Sequence, residues 1–566
     1  MPIEMPRSFF LIFAVAVASI PACGGKREPA EILFRGGTFH TGEEKTPRAE
    51  AVAVRGGRIV FVGTDAEARQ WTGPATKVVN LAGATAVPGM TDCHAHLAAI
   101  GAKTMTLDLA GSASLDEMLA RLKARVERAA AGEWVTGQGW IETFWKPPEF
   151  PTRRDLDRVS PRNPVLLFRI DGHGAVANSE ALRLAGVGKG TPNPPGGEIV
   201  RDASTGDPAG MLVDGAIDLV SSRVRSIERV DPDEAIVRGA RRCVEAGWCE
   251  IHDAGGSAAE AERIARLVIE GKIRLRIYKA VSGPSPASDA LLRQGPPTPD
   301  PDGRFRLRAI KIVLDGSLGS RGAALLAPYS DHEGSGLLFH REEDLLPTLA
   351  QALRQGVQVE THAIGDRANR MALDVYEKAF AAVPPGERKI REPRWRIEHA
   401  QILDPADIPR FARLGVIASM QPSHAISDLH FAPRRLGLER LAGAYAWKSL
   451  RQSGAVVAGG SDAPVEKGDP LVEFTAAVAR KDLSGFSGPG WHPEQALSRD
   501  EALRLFTSAA AYAAFEESDR GTLAPGKRAD LTVFSADIMT IPAASIPKAR
   551  CLMTVIGGDI AYEAKR

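Results

Sequence analysis

The sequence predicts an α/β chain: a parallel TIM, or (β/α)8, barrel with a subdomain inserted after its first strand, plus a small β-sandwich domain built from both termini. Three observations lead there. Between residues 86 and 519, eight apolar runs recur with helical segments between them, and unbroken apolar runs suit parallel strands buried on both faces. At either end of the chain, shorter runs alternate apolar and polar residues between Gly-rich turns, as half-buried strands do. The stretch from the first to the second long apolar run exceeds what a single crossover needs.

Taken in order, residues 1–22 read as an export signal. Arg7 precedes the apolar run Ser8–Ile20, which is short for a membrane span, and Ala22-Cys23-Gly24 follows as in a bacterial lipoprotein cleavage site. Cys23 is then the lipidated residue; plain secretion with cleavage nearby is the alternative. Residues 23–85 carry the strand-like runs Glu31–Arg35, Ala51–Arg55, Arg58–Val62 and Lys77–Leu81, and residues 520–566 add Asp530–Phe534 and Cys551–Ile556. The barrel occupies 86–519, its strands expected at Ala86–Thr91, Cys249–Ala254, Leu275–Val281, Leu307–Leu314, Val357–Thr361, Trp395–Glu398, Val416–Met420 and Ala455–Gly459. Helix starts are legible between them. Asp231-Pro232-Asp233-Glu234 offers an N-cap, a proline in the first turn and acids behind it, while Ser498 and Glu501 have capping-box spacing. Residues 105–230 form the insertion. Its Trp140, Phe144 and Trp145 either line an apolar pocket or make the insertion's own core.

Composition narrows the function classes. With 71 basic against 70 acidic residues, nothing favours a polyanionic partner, and nucleic-acid binding is not expected. Apart from Cys23, the cysteines at 93, 243, 249 and 551 are scattered, without the paired spacing of a thiolate zinc module or a disulfide framework. The expected partner is a small-molecule substrate, with membrane contact only through the N-terminal lipid.

The histidines carry the chemistry. Of 12 in the chain, four fall at predicted strand ends: His94 and His96 after the first, His362 after the fifth, His399 after the sixth. Asp462 follows the eighth. A strand's side-chain period of two turns His94 and His96 to one side, and strand ends converge at the rim of a barrel, where its chemistry sits. Imidazoles and a carboxylate gathered at one point are what zinc accepts for hydrolysis, with a position left for water. His424 and His430 lie in a later loop with Arg434 and Arg435, to meet an acidic substrate or to face solvent.

Several stretches resemble the amidohydrolase superfamily of metal-dependent hydrolases, and specifically its family 3, YtcJ-like branch. They are Val87–Leu97, Asp171–Asn178, Ile251–Gly255, Ile310–Ser320, Thr361–Asp366, Arg396–Gln401, Ser419–Pro422, Gly460–Pro464 and Gly521–Leu531. The resemblance implies that Lys311, in the fourth strand, is carboxylated and bridges two divalent metals. His94, His96, Lys311 and Asp462 would hold one and Lys311, His362 and His399 the other; an unmodified Lys311 implies a single zinc. It also singles out His173, His252, Asp315 and Arg321 as candidate substrate contacts beside Trp140, and gives Asp366 and Glu398 the task of orienting ligands or loops.

The expected activity is hydrolysis of a C–N bond in an amide, N-acyl or N-formyl compound outside the cytoplasm. Zinc brings its bound water to a pKa of about 7, and Asp462, with His399 beside it, is the catalytic candidate: Asp462 takes the proton and passes it to the leaving nitrogen. Deamination, or hydrolysis of a cyclic amide or ester, is the alternative within the class. A surface lipoprotein that binds a ligand without turnover is the alternative outside it.

Overall fold

The computed structural model describes residues 28–565, apart from Asp171, His173, residues 228–230 and Pro489. The export segment and Cys23 lie outside the described residues, and among those described no helix is long and apolar enough to cross a membrane.

Eight parallel strands run round the centre of the molecule in chain order: β1 (Met90–Ala95), β2 (Trp248–Asp253), β3 (Arg276–Ser282), β4 (Phe305–Val313), β5 (Gln358–Ala363), β6 (Arg396–His399), β7 (Ile417–Met420) and β8 (Val457–Gly459). They are buried on both faces because helices cover the outside while side chains fill the inside, although buried polar groups such as Glu250, His252, Lys311, Glu360, Arg396 and Glu398 stand among the apolar ones. β8 returns to β1 through single contacts rather than a ladder. Asp462 N donates to His94 O at 2.6 Å, His96 N donates to Ala463 O at 2.9 Å, and Ala95 bridges Ala463. Asp92 ties the same seam, accepting from Ser461 N at 2.8 Å and Ser461 Oγ at 2.5 Å. The barrel is nearly closed, and its closing seam lies beside the predicted ligands.

One expected strand divides in two. Ala86–Thr91 straddles a break at Gly89, between Thr85–Pro88, which joins the terminal strands, and β1. A Cβ at Gly89 would stand 2.7 Å from Asp530 Cβ and 2.9 Å from Cys249 Sγ, so only glycine lets the chain pass from one sheet to the other here. An unbroken apolar pattern hides such a break.

The strands from both ends of the chain form one hydrogen-bonded sheet of eight, where the sequence suggested a sandwich. The alternation read in the sequence sorts its two faces. Phe34, Val52, Val54, Leu531 and Val555 pack on one side, and Leu33, Ala51 and Ala53 on the other. Between β1 and β2 the chain builds a further sheet of six strands, from Leu107 to Asp214.

Two helices hold the first strand's end in place. α1 (Leu97–Met105) begins directly after His96, its N-cap residue, and α2 (Pro232–Ala246) opens at Asp231, whose side chain accepts from Asp233 N as the sequence suggested. They cross backbone to backbone. A Cβ on Gly101 would lie 1.7 Å from Ala235 O, and one on Gly239 2.2 Å from Leu97 O.

Candidate metal centre

Ligand atoms of His94, His399 and Asp462 lie within 4.8 Å of one another. The rings of His362 and His399 are 4.4 Å apart between centroids, and those of His94 and His399 4.8 Å. His96 is the last to arrive. It stands past the end of β1, so the strand period does not reach it, yet its Nε2 comes to 3.1 Å from Asp462 Oδ1. Its side chain is 38% exposed while that of His94 is 1% exposed, so the cluster opens to solvent on the His96 side.

Neighbouring groups set which nitrogens face inward. His94 Nδ1 is 2.6 Å from Glu398 Oε2, and His399 Nδ1 is 2.8 Å from Gln421 Oε1. Each carboxylate or amide oxygen accepts a hydrogen bond from Nδ1–H, which keeps the proton there and leaves the Nε2 lone pair for the centre. His362 Nε2 is buried without a hydrogen-bond partner, 3.5 Å from Asp315 Oδ1. Such an orphaned nitrogen costs free energy unless something else binds it. His399 and Asp462 have left-handed backbones, φ 72° and φ 59°, a strain that tends to gather where side chains must be aimed.

Electrostatics favours the ligand forms. Burial first, then the repulsion that a charged Lys311, His399 or His94 respectively would exert, holds His94, His362 and His399 well below the ordinary imidazole range. Burial would raise Asp462, but hydrogen bonds from His424 and His96 hold it well below its usual value. Lys311 is also buried. Its Nζ is 3.2 Å from His94 Nε2, it forms no ion pair among the described residues, and burial lowers its basicity. Neutral imidazoles, an anionic carboxylate and an orphaned nitrogen together fit a divalent cation.

The other residues singled out from the sequence have partners of their own. Trp140 is fully buried in the core of the six-stranded sheet, donating to Leu167 O at 3.0 Å with Trp145 beside it. His252 points into the barrel, 2.8 Å from an Arg396 nitrogen and against Tyr278. Asp315 accepts three backbone N–H groups, from Ala324, Ile364 and Gly365, with burial pushing it up to about 7. Arg321 makes a two-point pair with Asp331. His173 lies outside the described residues.

His424 is the group whose place the sequence reading missed. Far from facing solvent, it is buried, with Nε2 3.2 Å from Asp462 Oδ2. The available signal was its position, just past β7 on the same rim. His430 does remain near the surface, between the rings of Phe144 and Phe486, and Arg435 pairs with Asp331.

Known proteins are similar to this chain in sequence and in fold. A family model described as "Amidohydrolase family" matches residues 77–562. The putative amidohydrolase YtcJ of Bacillus subtilis is 35% identical over 540 residues, covering 94% of this chain and 99% of its own. An N-substituted formamide deformylase of Arthrobacter pascens is 29% identical over 554 residues, covering 94% and 98%. Among solved structures, an uncharacterised metal-dependent hydrolase from Pyrococcus horikoshii superposes with a TM-score of 0.73 at 26% identity, covering 90% of this chain and 99% of that one.

Proposed function

The chain belongs to the amidohydrolase family, an enzyme family of hydrolases acting on C–N bonds, and from that premise we propose that it is a zinc hydrolase of the amide bond in N-acyl or N-formyl amines. The convergence of His94, His399 and Asp462 within 4.8 Å carries this reading. The class of substrate takes support from the relative named as an N-substituted formamide deformylase.

His94, His96, His362, His399 and Asp462 would hold the metal. A divalent ion there supplies a Lewis acid and brings water to a pKa of about 7. The protein's own part is then proton handling and orientation. Asp462 takes a proton from the attacking water and delivers it to the leaving nitrogen. Glu398 and Gln421 keep the Nε2 atoms of His94 and His399 directed at the centre.

Lys311 is the candidate bridge between two ions. A lysine buried without a carboxylate partner loses its proton more readily, and the uncharged amine is the form that takes up carbon dioxide. Carboxylation removes a buried positive charge and adds an anionic ligand beside His94.

Elemental analysis of the purified protein, combined with a screen of N-acyl and N-formyl amines, tests the proposal. One or two equivalents of a divalent metal and turnover with amine release are expected. Finding neither metal nor turnover after zinc addition would sink it, and ammonia as the product would redirect it to deamination.

A further inference from the structure

Asp462 has a problem of aim. It lies three residues beyond β8 with a left-handed backbone, so no strand pleat sets the direction of its side chain. Its backbone is tied to His94 O, but the carboxylate needs anchors of its own. The structure gives it two, His96 Nε2 on Oδ1 at 3.1 Å and His424 Nε2 on Oδ2 at 3.2 Å. His96 is one of the groups that would hold the ion, and a lone pair given to a cation leaves no donor at that nitrogen for Oδ1. In the loaded site His424 remains.

His424 is itself fixed from behind. It rides on a short helix, α3 (Pro422–Ser427), and its Nδ1 is 3.0 Å from Glu466 Oε1. Glu466 Oε1 also accepts from Ser427 Oγ at 2.6 Å, and Glu473 Oε2 accepts from Ser423 N at 2.9 Å, pinning the start of the helix. Both ring nitrogens of His424 face carboxylate oxygens, Nδ1 that of Glu466 and Nε2 that of Asp462. It touches a proposed ligand through the second of these.

We propose that His424, oriented by Glu466, is the positioning residue that holds Asp462 in its working orientation. This rests on the role given to Asp462 above. The two carboxylate oxygens then divide the work: Oδ2 stays on the imidazole, and Oδ1 is left to face the ion and the substrate. The imidazole is connected to Asp462 by one hydrogen bond and to a flank of the loop by another. Losing it frees rotation of the carboxylate without removing any ligand.

The test compares wild type, His424→Gln, His424→Asn and Glu466→Ala by chelator competition for Zn2+ and by steady-state kinetics at saturating zinc. Glutamine can place an amide N–H near the position of Nε2, whereas asparagine reaches only that of Nδ1. His424→Asn should lose about 10–100-fold in zinc affinity, the range for a group behind a ligand, and kcat should fall while KM holds. His424→Gln should recover part of both, and Glu466→Ala should move the same way by less. Wild-type zinc affinity and kcat in His424→Asn, or equal losses in the Gln and Asn variants, would overturn the proposal. If the His424 variants do not fold, Glu466→Ala decides, since its side chain is 18% exposed, and a wild-type result there counts against the pair. If the wild type turns over no C–N substrate, the proposed function fails, and the zinc-affinity arm alone decides this inference.

Discussion

At the scale of single residues, the centre depends on groups kept in forms that water would not favour. Lys311 is the sharpest case. Lys311→Ala should lower the metal content towards one equivalent or none, and small carboxylates should restore part of the activity. Elemental analysis with and without added formate or acetate reads this, and unchanged metal and activity would exclude the bridging role. His252 offers a test that is independent of the metal. Burial first, and Arg396 second, pushes its imidazole down to about 4 from an ordinary 6.5. A ring kept neutral in the folded state contributes stability that is fully present above pH 6.5 and is lost as the pH falls through 4. At about 1.4 kcal/mol per unit, that is roughly 3 kcal/mol over the window. His252→Gln should therefore flatten the pH dependence between 6.5 and 4 when metal-free protein is unfolded with urea; a wild-type slope in the variant would show that other groups carry it. His94, His362 and His399 were legible in the sequence as candidate ligands because each stands at or next to the end of a strand, whereas His96 stands one residue past its strand. His424 was not legible, because its partner Asp462 is 38 residues away and no local pattern records that pairing.

At the scale of elements, the crossing of α1 and α2 controls how His96 is presented, because His96 caps α1. Gly101→Ala must push the helices apart, since its Cβ would fall 1.7 Å from a backbone oxygen that cannot yield. A cost of about 1–3 kcal/mol is expected, as for other overpacked contacts, with weaker metal binding at the same time. Thermal melts with and without zinc would show both, and a variant with unchanged melting would mean that the helices separate freely. The helix itself needed no tertiary knowledge to foresee at α2, where Asp231 and Pro232 announce the start. The eight barrel strands were legible for a similar reason, as buried parallel strands leave apolar runs. The break at Gly89 and the single terminal sheet were not, because a strand's apolar pattern does not say which partner it will pair with.

At the scale of the whole molecule, the C-terminal strands of the terminal sheet are fastened to the barrel by buried charges. Arg276 in β3 donates twice to Asp530, at 2.8 and 3.0 Å, and Gly557 N adds a third bond at 2.6 Å. Burial alone would raise the Asp530 carboxyl, but Arg276 holds it below its usual value. Its contribution to stability is thus present above about pH 4 and is lost as the pH falls through the lowered value. Asp530→Asn leaves Arg276 charged and buried, for which about 3–5 kcal/mol is the expected cost. Urea titrations at pH 7 should register that loss, and the variant should show a shallower acid limb; a cost below about 1 kcal/mol would mean that the pair is not what joins the sheet to the barrel.

The terminal sheet also sets an order of events. The strand Leu531–Phe534 pairs with Thr85–Pro88, and Thr532 Oγ1 accepts from Met90 N, across 442 residues of chain. The segment that leads into His94 is therefore among the first to be synthesised and among the last to gain its neighbours. Ribosome-bound intermediates would carry a first strand without its lateral support, and a nascent chain cut short before residue 531 would never complete it. Removing Leu531–Phe534 should therefore weaken the proposed centre although it deletes none of the proposed ligands.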